Sequence, residues 1–100
     1  MATSLNEQVV PLLLEIQELV EACGQARWAD LFAHLAGDAT AAGTESERRD
    51  VLHRIGQLFG GMGSFNDLVL QDRQGVRPEQ QRLDALRTAL YEAVSELYPG

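Results

Sequence analysis

Apolar side chains recur at three- and four-residue spacing over most of this 100-residue chain, the period of amphipathic helices. The pattern gives way in one stretch, LFGGMGSFNDLVL at residues 58–70, where three glycines fall within four residues. Glycine is selected where the backbone needs positive φ or must approach another surface closely. The stretch therefore either turns the chain between two helices or displays side chains to a partner. In the first case Ser64 or Asn66 caps a short turn; in the second, Met62, Phe65, Asn66 and Asp67 are presented outward. Residues 68–70 fit an extended strand or one helical turn equally well.

Helix signals bracket this break on both sides. Ser4-Leu5-Asn6-Glu7 has the form of a capping box. Leu5, Val9, Leu12, Ile16, Leu19, Val20 and Cys23 then make a stripe that stops at Gly24. Pro11 lies inside the stripe and predicts a kink in one helix over 4–23. Trp28, Leu31, Phe32 and Leu35 mark a second helix over 25–36 with an inward face, followed by a loop of small residues at 37–43 (GDATAAG). Thr44-Glu45-Ser46-Glu47 is a second capping box and opens a third helix with Val51, Leu52, Ile55, Leu58 and Phe59 inward. Residues 71–77 form a polar connection. Pro78 suits the first turn of the last helix, whose stripe is Leu83, Leu86, Leu90, Val94 and Leu97. The expected fold is all-α: one domain over residues 1–100, a compact bundle of about four helices with a glycine-rich corner between the third and last.

Composition narrows the function. The formal net charge is -7, and all eight basic residues are Arg. Nucleic acid and anionic membranes require a cationic footprint, so neither is an expected partner, whereas a cationic protein is. The N-terminus lacks the basic and apolar regions of a secretory signal, and no apolar run reaches the ~18 residues needed to span a bilayer. Cys23 is the sole cysteine, which fits a reducing cytoplasm and a buried small hydrophobe.

Residues with chemical potential are few. GGMGS lacks the Lys and the flanking Ser or Thr of a phosphate loop, and a helix rather than a strand precedes it. His34 and His53 fall on the polar sides of their helices, with no spacing suited to a metal or a catalytic triad. The expectation is a non-enzymatic protein without cofactor or metal. Arg87 lies at the margin of the last helix's apolar stripe, beside the shoulder of Tyr91 and Tyr98; Asp67 is a candidate partner for it.

The first helix carries the clearest interface signal. At about 100° per residue its apolar centre runs along Leu5, Ile16 and Cys23, while Val10 and Leu14 point nearly opposite. Leu14 sits among Glu7, Glu18 and Glu21, with Glu15 beside it, and residues 1–24 contain no Lys or Arg. An apolar spot rimmed by carboxylates suits a partner-binding face, unless the Pro11 kink turns these residues inward.

The run LFGGMGSFNDLVL, with Trp28 about thirty residues upstream and a closing LRTALYEAVSELY helix, resembles an uncharacterised family of small bacterial helical proteins. The likeness spans Trp28 to Tyr98 and rests on Phe59, Gly60, Gly61, Met62, Gly63, Asn66, Asp67 and Leu68. Those proteins look like the accessory proteins encoded beside bacterial toxin and Rhs-type effector genes. The resemblance implies an immunity role, binding and neutralising a cognate toxin domain; the alternative is a regulatory or scaffolding interaction domain.

A structural corner does not tolerate a β-branched residue, which is hindered at positive φ. Gly61→Val and Gly63→Val are expected to lower the melting temperature by more than ordinary surface substitutions do. Melts matching the wild type would leave the segment free and favour its display to a partner.

Overall fold

The computed structural model of the chain describes residues 5–59, 65 and 68–97. A π-helical turn, Leu5–Val9, leads into helix α1 (Val10–Ala22), followed by α2 (Ala26–Ala41) and α3 (Glu45–Gln57). A small antiparallel hairpin, β1 (Gln71–Asp72) with β2 (Gly75–Val76), precedes the last helix, α4 (Glu79–Leu97). The chain is thus the all-α bundle its periodicity predicts, with the crossover between α3 and α4. The first capping box, at Ser4, and the glycines of residues 60–64 lie outside the described residues.

Pro11 accounts for the first departure from the simple stripe. It has no N–H to donate to the carbonyl four residues back, and its ring crowds that carbonyl. Before Pro11 the turn widens to the i→i+5 pattern, which advances each residue by less than an α-helix does. The phase lag replaces Leu12 by Leu13 on the inner face. Leu13 is fully buried while Leu12 is half-buried, and the core row reads Leu5, Val9, Leu13, Ile16, Val20. Helix α1 closes as its sequence indicates. Gly24 takes φ +80, its N–H donates to the Glu21 carbonyl, and the Gln25 N–H donates to the Val20 carbonyl. That pair of bonds is a Schellman cap.

The expected loop at 37–43 is mostly helix. Helix α2 continues to Ala41, because Ala36 and Ala39 bury against the core and alanine is the strongest helix former. The cost of Gly37 in its interior, about 1 kcal/mol, is offset by that packing. Asp38, now helical, forms an ion pair with Arg54 of α3 at 3.0 Å. At α3 the Thr44 box is complete: Thr44 Oγ1 accepts from the Glu47 N–H at 3.1 Å, and Glu47 Oε1 accepts from the N–H groups of Thr44 and Gly43. The Thr44 hydroxyl, then the Gly43 and Thr44 amides, hold the Glu47 carboxyl below its usual pKa. This cap is fully made at neutral pH and is lost as pH falls through that lowered value.

Phe65 corrects the most consequential expectation. It is not displayed but fully buried, with its ring centroid 4.7 Å from Phe32, 5.3 Å from Trp28 and 6.2 Å from Phe59. The start of α2 and the end of α3 leave an aromatic socket, and the crossover supplies the ring that fills it. Residues 68–70 follow without regular secondary structure, with Leu70 buried and Val69 exposed. The hairpin turn uses Gly75 at φ +116.

Removing the Phe65 ring empties the socket. Phe65→Ala is expected to destabilise the fold by about 3–5 kcal/mol, and Phe65→Leu by clearly less. Urea denaturation followed by the fluorescence of Trp28, the sole tryptophan, measures both.

Candidate functional site

Helix α4 holds the crossover through its main chain. The Arg87 Nη1 donates to the carbonyl of Phe65 at 2.9 Å and to that of Leu68 at 2.8 Å. Its Nη2 donates to Asp84, and its guanidinium carbon lies 5.6 Å from the centre of the Phe65 ring. Asp84 also accepts from Gln80 Nε2 at 2.9 Å, and Gln80 Oε1 accepts the Leu70 N–H at 2.6 Å. Gln80, Asp84 and Arg87 stand at i, i+4 and i+7, so one helical row satisfies backbone groups that have no sheet or helix partner. Arg87 is the one charged side chain buried among the described residues. It pairs with Asp84; the expected partner Asp67 lies outside the described residues, as do Met62 and Asn66.

Two surfaces remain as candidates for recognition. The first is the outer face of α1. Leu14 is 47% exposed, and Glu7, Pro11, Glu15, Glu18 and Glu21 are exposed with it. The phase lag before Pro11 thus turns Leu13 inward and leaves Leu14 outside; Val10 is half-buried. Glu15 reaches Arg82 of α4 at 3.9 Å, a long, solvent-exposed pair of small energy. Glu18 and Glu21 form no ion pair among the described residues.

The second is an open groove of about 650 Å³ along α4, lined by Phe59, Asp84, Arg87, Thr88, Tyr91 and Glu92. Tyr91 is 55% exposed and meets Phe59 edge-on, with centroids 5.4 Å apart and an interplanar angle of 71°. Sequence reasoning missed this groove and the Gln80–Asp84–Arg87 row. The i, i+4, i+7 spacing beside the apolar stripe was the available signal for the row; the groove depends on where Phe59 packs.

His34 and His53 are exposed, as their helical phase indicates. No group of three His, Cys, Asp or Glu side chains is gathered for a metal among the described residues. No helix among them is long and apolar enough to cross a membrane. Glu79 is held below the usual carboxylate range, first by the Arg77 guanidinium, at the start of α4.

Fold and site together define an all-α bundle with a clamped, aromatic-anchored crossover and an acidic, leucine-centred helix face. Residues 21–79 match the family described as Domain of unknown function (DUF6966), and the chain belongs to that family. The matched range holds the aromatic socket, Phe65 and the hairpin; Leu14, Glu15, Glu18 and Arg87 lie outside it. No curated protein and no solved structure matches the chain.

Loss of Arg87 removes the side-chain donor of the Leu68 carbonyl and leaves the Phe65 carbonyl with the Leu68 N–H alone. Arg87→Leu is expected to cost about 2–4 kcal/mol, with Arg87→Lys recovering only part, because an ammonium lacks the planar fork. Gln80→Ala is expected to accelerate hydrogen exchange at the Leu70 amide selectively. Unchanged exchange there would show that the row does not hold the crossover.

Proposed function

We propose that this protein is an immunity protein, a non-enzymatic cytoplasmic chain that binds a cognate cationic toxin domain and neutralises it by steric and electrostatic occlusion. The observation that carries the proposal is the outer face of α1, where Leu14 is exposed in line with the uncommitted carboxylates of Glu18 and Glu21. An apolar centre with a charged rim divides binding into two tasks. The carboxylates steer a cationic partner and set the association rate, while the leucine excludes water and sets residence time. Acidic side chains over the basic groups a toxin uses to hold nucleic acid or nucleotide would block its activity. The LFGGMGSFNDLVL segment resembles an uncharacterised family whose members look like accessory proteins of toxin loci, and this analogy motivates the same reading.

The test is a pull-down with the full chain from the native cell, followed by kinetics with the captured partner. Changing Glu15, Glu18 and Glu21 together to Lys is expected to slow association and weaken its salt dependence, with the fold intact. Leu14→Ala is expected to speed dissociation about tenfold, the equivalent of about 1.4 kcal/mol. An unchanged association rate at low salt for the triple variant would exclude this face. Capture of a partner that is not a toxin would replace the immunity role with a regulatory or scaffolding one.

A further inference from the structure

The groove along α4 has a composition that points to a particular kind of side chain. Tyr91 is fixed by its edge-on contact with Phe59 and still exposes more than half its surface, so a ring face remains open to a ligand. Thr88 contributes a hydroxyl to the same wall, and Glu92 an exposed carboxylate that forms no ion pair among the described residues. The one cation lining the groove among the described residues, Arg87, is buried and directs its Nη1 to the crossover carbonyls, with Asp84 as its counter-ion. The groove therefore offers an open aromatic face and an uncompensated negative charge.

We infer that this groove receives an arginine side chain of the protein partner, with the guanidinium plane on Tyr91 and its N–H groups donating to Glu92. The inference rests on the reading that the partner is a cationic protein. Arginine fits better than lysine because its flat, weakly hydrated group stacks on an aromatic ring and donates in a fork. The fold already uses this chemistry internally, since Arg87 lies over the Phe65 ring with a carboxylate on its outer side. An apolar partner side chain would leave the Glu92 charge without a partner, and an acidic one would be repelled by it.

The test uses the full chain and N-acetyl-arginine amide as the probe, read residue by residue in ¹H–¹⁵N correlation spectra. Saturable shifts are expected at the amides of Thr88, Tyr91 and Glu92, with weaker ones from N-acetyl-lysine amide and none from N-acetyl-leucine amide. Glu92→Gln is expected to weaken binding about threefold or more. Tyr91→Leu, which keeps an apolar contact for Phe59, is expected to abolish the preference for arginine over lysine. Shifts confined to Glu18 and Glu21, or a Tyr91→Leu variant that still prefers arginine, would overturn the assignment.

The captured partner separates this inference from the proposal beneath it. A partner that responds to the α1 charge reversals but binds the Tyr91→Leu variant unchanged removes the groove and leaves the function standing. Arginine amide seated on Tyr91, with no cationic protein captured, does the reverse.

Discussion

Phe65 is a single ring, yet it touches the start of α2 and the end of α3 and lies beneath a side chain of α4. A crossover that buries such a ring brings its backbone into the interior, where carbonyls lose their water and must find donors. Arg87 donates to the Leu68 carbonyl and, with the Leu68 N–H, to that of Phe65, while Gln80 accepts the Leu70 N–H. Apolar burial and polar satisfaction are thus one arrangement. The ring gives the crossover its place, and the polar row of α4 satisfies the main chain at Phe65, Leu68 and Leu70.

The same row shapes the outer surface. Arg87 turns inward, so its charge is absorbed by carbonyls and Asp84 and does not offset the acidity of the α4 groove. Helix α1 divides its residues in a comparable way. The widened turn before Pro11 brings Leu13 into the core without drawing Leu14 after it, and adjacent leucines take opposite roles. An acidic chain built in this manner presents carboxylates beside isolated apolar groups on two faces, the surfaces proposed above to meet a cationic protein.

The family match covers part of this arrangement. It covers the second and third helices, the socket, the crossover and the hairpin, the parts that position Phe65. Leu14, Glu15 and Glu18 on α1, and Arg87, Tyr91 and Glu92 on α4, stand outside it. The match does not separate fold from surface, since Gln80 and Arg87, which hold the crossover, lie beyond it, while Glu21 and the groove-lining Phe59 lie within it.

Local order was legible in the residues alone. Helical period placed four helices, and the Thr44–Glu47 box and Gly24 set two of their ends, each from contacts within one or two turns, whereas the exposure of Leu14 was left open by the Pro11 kink. The extension of α2 through Gly37 was not legible, because burial of Ala36 and Ala39 outweighed a local breaker. The direction of Phe65 was the larger matter left open. A glycine-flanked aromatic reads equally as an anchor for a partner or for its own core. The choice fell to Trp28, Phe32, Phe59 and Arg87, which lie 37, 33, 6 and 22 residues away in sequence and meet only once the helices pack. Period and capping are short-range and survive in a string of letters, whereas a socket exists only where distant side chains converge.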